Sequence, residues 1–146
     1  MRKVIVTALV IMAGVFLIAC ARTESATKEE CISKCKEAAQ LINEKGLEAA
    51  LPELNNKNGK FVWKNTYVWV MDFTGTHLTH PKNPEMVGKN VVNWKDSNGK
   101  FAVKESIEVA KTKSEGWTEH MIPKKILTYV YRVPGKEMFV AANIPE

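Results

Sequence analysis

With 146 residues the chain has room for one domain, since a domain usually takes roughly 100 to 200 residues. Its formal net charge is +5, yet no run of Lys and Arg exceeds two residues, so the stripe or patch of positive charge that nucleic-acid binding needs is missing and only a basic pocket for a small anion stays open. No Gly-x-Ser-x-Gly elbow, phosphate loop or nucleophile-base-orienter set is visible, so neither an enzyme nor a cofactor is expected.

Arg2 and Lys3 precede an apolar stretch from Val4 to Ile18, which runs into Leu17-Ile18-Ala19-Cys20. A basic start, an apolar middle and small residues at the cut make residues 1–19 a signal peptide. The segment is shorter than the roughly 20 apolar residues that cross a bilayer. Leu-Ile-Ala-Cys resembles the bacterial lipobox, which implies that Cys20 is lipidated and opens the mature chain. The domain would then sit on the periplasmic or extracellular face of a bacterial membrane. An uncleaved anchor, or ordinary cleavage near Ala21, are the alternatives. Residues 20–26, polar and small, read as a tether, and residues 27–146 as a single domain.

Thr27-Lys28-Glu29-Glu30 has the form of a capping box, and Ile32, Cys35, Ala39 and Ile42 follow at the spacing of one helical stripe. Gly46 ends or kinks this helix. Cys31 and Cys35 lack the two-residue gap of a thioredoxin-type motif and the histidine of a haem-attachment motif. Four apart on one helix face, they are only marginally spaced for a disulfide. An oxidising compartment permits that bond or one between subunits, and free thiols are the alternative. A second short helix from Gly46 should stop near Pro52, because the residue before proline disfavours helical geometry. Asn55 to Lys60 is a turn.

Thr66 to Phe73 is rich in aromatic and β-branched residues, as a strand is. Tyr67, Trp69 and Met71 would point to one face, with Val68, Val70 and Asp72 on the other, so both faces are covered. Gly75 marks a tight turn, and His77 to His80 returns as the second strand of a hairpin that Pro81 ends. Within such a strand His77 and His80 fall on opposite faces, and with only His120 left as a third imidazole, metal binding is not expected. A loop from Pro81 to Gly99, with one helical turn after Asn83, leads to an amphipathic helix from Phe101 to Ser114. Phe101, Ile107 and Ala110 form its apolar face, and Glu105 and Glu108 its solvated one. Three strands follow at Trp117 to Ile122, Leu127 to Val133 and Met138 to Ile144, the last two joined by Pro134-Gly135. Helix, two strands, helix and three strands imply an α+β antiparallel sheet.

The ordered set Tyr67 with Val70 and Asp72, the turn Asp72 to Gly75, His80-Pro81, Gly88-Lys89-Asn90, Asp96 to Gly99, the helix near Phe101, Gly116-Trp117, Pro123 and Tyr129 resembles a single Cache domain of the sCache_2 type. The likeness covers roughly Lys28 to Glu146. It departs at His120-Met121-Ile122-Pro123, where an aromatic-Trp-Pro hairpin is usual, and at Val140 to Ile144, where a glycine-rich ending is. Such domains are extracytoplasmic PAS-like sensors of chemoreceptors and histidine kinases, and also free-standing secreted proteins. With no second transmembrane helix, HAMP linker or kinase region before Glu146, the resemblance implies a free-standing one. It also implies a long N-terminal helix on one face of a five- or six-stranded antiparallel sheet and a ligand pocket on the other. The ligand would be a short organic acid such as acetate, propionate, pyruvate or lactate. A signalling partner in the membrane is implied too, with the first helix as a possible dimer contact.

A buried carboxylate must be met by a cation or by several donors. For that role Lys124 or Lys125 could supply the cation, Tyr129 a hydroxyl, His80 an imidazole, and Trp94 and Trp117 apolar walls with an indole N–H each. Core packing for the aromatics and a solvated turn for the lysines are the competing readings. A ligand-free accessory module of an envelope complex is the alternative for the whole chain.

Overall fold

The computed structural model describes residues 24–146. The signal peptide, Cys20 and the first part of the tether lie outside the described residues. Helix α1 spans Lys28–Lys45 and α2 spans Leu47–Leu54; strands β1 (Val62–Trp63), β2 (Thr66–Asp72) and β3 (His77–Thr79) follow. After a 3-10 turn at Pro84–Met86 come α3 (Ala102–Thr112), β4 (Glu115–Ile122), β5 (Lys124–Arg132) and β6 (Met138–Pro145). The sheet is six-stranded, in the order β1-β2-β6-β5-β4 with β3 also on β2. Every pairing is antiparallel. This is the α+β architecture that the order of elements implies.

The capping box forms as expected. The Glu30 amide donates to Thr27 Oγ1 at 3.2 Å and the Thr27 amide to Glu30 Oε2 at 2.9 Å, which satisfies two of the amides a helix start leaves free. Cys31, Cys35, Ala38, Ala39, Leu41 and Ile42 are buried along α1, against Val68, Val70, Tyr129, Val140 and Ala142 of the sheet. That stripe is therefore spent within its own chain, and a dimer through α1 would have to use the helix's other face. The two thiols are free and buried. An i, i+4 bond would strain the helix, and a bond to a second chain would require opening this core.

Pro52 does not stop α2, which continues to Leu54. Its missing amide costs one helical bond, but Ala50 and Leu54 are fully buried, and that burial outweighs the local penalty. Strand β1 was not expected.

The opposite face of the sheet exposes Trp69, Met71, Val130, Phe139 and Ala141 to α3, whose Val103, Ile107 and Ala110 close over them. The alternation expected for β2 is thus realised, α1 on one side and α3 on the other. Phe101, expected on the apolar face of α3, lies exposed as its N-cap residue, flanked by the ammonium groups of Lys95 and Lys104. Glu105, read as solvated, pairs with Lys100 at 3.1 Å and approaches His120 Nδ1 to 3.9 Å. Among the described residues, no helix is long and apolar enough to cross a membrane.

Candidate ligand cavity

Asp72-Phe73-Thr74-Gly75-Thr76 builds one edge of the site. Asp72 Oδ1 accepts from the amides of Thr74 and Thr76 at 2.9 and 3.0 Å and from the Thr74 hydroxyl at 2.6 Å. Gly75 sits at φ +90°, and a Cβ there would lie 2.6 Å from Val92 Cβ. The turn is therefore clamped against the segment after the 3-10 turn, where the Val91 amide donates to the Gly75 carbonyl at 2.9 Å.

From this turn β3 returns, and His77 and His80 come to the same side. Their ring centroids are 5.3 Å apart, with Trp69 5.4 Å from His77 and Tyr67 5.0 Å from His80. The expectation of opposite faces fails for a physical reason: alternation holds only inside a strand. Here β3 ends at Thr79 and its register against β2 shifts between Val70 and Met71.

Both histidines line a cavity of about 400 Å³ between the sheet face, α3 and the loop from Asn83 to Trp94. Tyr67, Trp69 and Met71 form its floor, Val103 and Ser106 one wall, and His120, Ile126, Thr128 and Asn143 the far side. All three histidines of the chain meet here. Among the described residues, no Lys, Arg, Asp or Glu lines the cavity.

The polar groups are arranged in short relays. The Asn83 amide donates to His80 Nδ1 at 3.0 Å, and His80 Nε2 lies 3.2 Å from Tyr67 Oη. Thr128 Oγ1 donates to Asn143 Oδ1 at 3.0 Å, leaving the Asn143 amide nitrogen as a free donor. Thr118 Oγ1 and His120 Nε2 are 2.8 Å apart. His77 Nδ1 and His120 Nδ1 are buried without a hydrogen-bond partner.

Burial lowers the pKa of all three imidazoles, because it penalises the cation. His77, also repelled by His80, falls to about 4; His80 and His120 lie below their ordinary value. Burial raises the Tyr67 phenol. The lining of the cavity is therefore uncharged at neutral pH.

Of the six residues chosen from sequence, the structure brings His80 and Trp94 to the cavity, the latter 42% exposed at its mouth. The other four lie elsewhere. Trp117 and Tyr129 are paired neighbours on β4 and β5, 5.2 Å apart, and pack under α1. The Tyr129 hydroxyl donates to Glu115 Oε2, which also pairs with Lys36 at 3.1 Å. Lys125 bridges Glu119 and Glu146 at 3.1 and 3.2 Å on the α1 side, and Lys124 is exposed at the start of β5. No cation from the turn between β4 and β5 reaches the cavity.

Sequence reasoning missed Tyr67, His77, His120, Thr128 and Asn143. The signal for Tyr67 was present, since the face shared by Tyr67, Trp69 and Met71 is the cavity floor. His120 carried no such signal, because parity sets it opposite Trp117 on one strand without deciding which of the two faces the cavity. Among the described residues, no group of three or more His, Cys, Asp or Glu could hold a metal ion.

A six-stranded antiparallel sheet with a long helix on one face and a mostly apolar cavity on the other defines a PAS-like ligand-binding domain. The chain belongs to the Single Cache domain 2 family, whose model matches residues 5–130. Solved structures with the same fold include a Cache chemosensory domain described for its recognition of carboxylic acids. It is 20% identical with a TM-score of 0.69, over 80% of this chain and 91% of that one. The periplasmic sensor domain of a chemotaxis protein is 18% identical with a TM-score of 0.63, over 80% of this chain and 88% of that one. A methyl-accepting chemotaxis protein from Vibrio parahaemolyticus is 19% identical with a TM-score of 0.65, over 81% of this chain and 87% of that one.

Proposed function

We propose that the protein is an extracytoplasmic Cache sensor domain, held to a bacterial membrane through Cys20, that binds a short organic acid and reports its occupancy to a membrane partner. The observation that carries this reading is the cavity itself: about 400 Å³, walled by Trp69, Val103 and Ile126, with a few convergent polar groups. That is the size and make-up of a small-molecule site. Family membership supports the sensor role, and carboxylic acid recognition by a protein of the same fold supports the ligand class. The ligand would act by population shift, favouring whichever arrangement of the loop and α3 it binds more tightly.

The cavity is larger than acetate needs. Each added methylene that reaches Trp69 or Ile126 should contribute about 0.8 kcal/mol, roughly a fourfold gain. Thermal shift of the full chain against acetate, propionate, butyrate, pyruvate and lactate tests the reading. Stabilisation that grows with concentration and with chain length is expected. No response to any acid would overturn the reading in favour of a ligand-free module.

A further inference from the structure

We propose that the cavity takes a carboxylate together with one proton from solvent, and that His77 carries that proton. The inference deepens the carboxylate reading above and rests on it. Among the described residues, neither a lysine nor an arginine lines the cavity. A carboxylate leaving water without a cation is very costly. The donors there, the Tyr67 hydroxyl and the Asn143 amide nitrogen, are neutral, so a complex without net charge requires a proton on a group of the lining.

Three imidazoles line the cavity, and their surroundings separate them. His80 is engaged at both nitrogens, Nδ1 by the Asn83 amide and Nε2 by Tyr67. His120 is held by Thr118 at Nε2, while its Nδ1 faces Glu105 at 3.9 Å. A proton there would be neutralised by that carboxylate instead of by the ligand. His77 is 8% exposed, and its Nδ1 is buried with no partner.

Among the described residues, no acid is positioned to claim the charge on His77. From β2, Trp69 and the neutral phenol of Tyr67 stand on its side of the sheet. From the turn after β3 it meets His80, on which Glu85 acts from the 3-10 turn. Lys89 bonds it through the backbone only, with an exposed side chain. From β4 comes His120, within the influence of Glu105, Lys100 and Asp96. Burial keeps His77 neutral, its pKa about 4. A bound carboxylate raises it, because an opposite charge favours the cation.

The step balances: one proton leaves the buffer, the imidazole becomes imidazolium, and ligand plus His77 is net neutral. Since the free group titrates near 4, affinity should fall about tenfold for each pH unit above that, until the raised value of the complex is reached. Selectivity follows, with monocarboxylates favoured over dicarboxylates, whose second charge finds no proton acceptor on His80.

Calorimetric titration of the full chain with propionate at pH 7, in buffers of different ionisation enthalpy, counts the protons. Net proton uptake is expected, approaching one per ligand below the raised pKa of the complex, with affinity falling as the pH rises toward that value. In His77→Asn, uptake and the pH dependence should vanish while binding of uncharged propionamide persists. Propionate binding without proton uptake overturns the proposal and leaves the carboxylate reading standing. Undiminished uptake in His77→Asn overturns the assignment to His77. Failure of every acid to bind removes both.

Discussion

Tyr67 and His80 are coupled across the first hairpin, phenol oxygen to imidazole Nε2 at 3.2 Å, and the direction of that bond is set from behind. The Asn83 amide donates to His80 Nδ1, so in the neutral ring the proton must sit on Nε2. Nε2–H therefore donates to Tyr67 Oη, and the tyrosine's own proton is left to point into the cavity. His80 acts here as a positioning residue for Tyr67.

Removal of that hydroxyl should weaken carboxylate binding more than it weakens the fold. A hydrogen bond to a charged partner contributes about 1.5–3 kcal/mol, roughly 10- to 150-fold in affinity. Tyr67→Phe is expected to lose affinity for propionate in that range, read by calorimetry, with a small change in Tm. Equal affinities in variant and parent would remove the hydroxyl from the site.

Gly75 ties the hairpin turn to the cavity wall. A side chain at φ +90° is strained, and its Cβ would lie 2.6 Å from that of Val92. Gly75→Ala should cost about 2 kcal/mol or more and lower Tm by roughly 5 to 10 °C. Because Val91 is bonded to the Gly75 carbonyl and lines the cavity, ligand affinity should fall with it. A Tm within a degree or so of the parent would mean that the loop yields freely.

Cys31 and Cys35 should be silent thiols. Burial pushes Cys31 up to about 12 and Cys35 well above its ordinary value, and the thiolate is the reactive form. In the native protein neither should react with an alkylating reagent at pH 8, and both should do so in denaturant, as peptide mapping would read. No covalent dimer through these residues is expected on a non-reducing gel. Cys35→Ser should cost about 1–3 kcal/mol for burying an unpartnered hydroxyl. Native-state labelling of Cys35 would mean that α1 opens readily.

The legible parts of the molecule are those where local chemistry decides. The capping box at Thr27 and Glu30, the Asp72-Gly75 turn and the two-faced alternation of β2 all follow from residues near one another in the chain. The face on which Trp117 lies does not. The β4 face that carries Trp117 is only partly covered, with Glu115 and Glu119 exposed on it, while the face of His120 meets α3 and the cavity. Each face mixes polar and apolar residues, so apolarity cannot choose between Trp117 and His120. Only the pairing of Trp117 with Tyr129, and of His120 with Ile126, makes the choice. The shared side of His77 and His80 was hidden likewise, because it depends on β3 ending one residue before His80. Pro52 was misleading for the converse reason: a local rule yielded to the burial of Leu54.

Asp96 links the loop that carries Trp94 to the strand that carries His120. Its Oδ2 accepts from the Met121 amide, and its Oδ1 from the amides of Asn98 and Lys100, each at 2.9 Å. These bonds, that of Met121 foremost, hold its carboxyl below the usual aspartate range. A depressed acid stabilises the fold above the unfolded-state value of about 3.9, and that stabilisation is lost as pH falls through the lower native value. The Tm of the protein should therefore decline below about pH 4. Asp96→Asn, which turns an NH₂ toward one of these amides, should be less stable at pH 7 and converge on the parent in acid. A constant difference at all pH values would mean that shape, not charge, carries the link.

Tyr129 and Lys125 permit a direct comparison between position and residue type, since each has the chemistry to meet a carboxylate and neither lines the cavity. Tyr129 spends its hydroxyl on Glu115 beneath α1, and burial with that bond holds its phenol far above the ordinary range. Lys125 is occupied by Glu119 and Glu146. Tyr129→Phe should cost about 1 kcal/mol of stability, at the low end for a bond to a charged group because Glu115 is partly solvated. Lys125→Met should cost less still, as surface pairs do. Affinity for propionate should stay within about twofold in both, well under the 1.4 kcal/mol that a tenfold change represents. A tenfold loss in Lys125→Met would mean that the turn between β4 and β5 folds over the cavity when ligand binds, bringing its cation to the carboxylate.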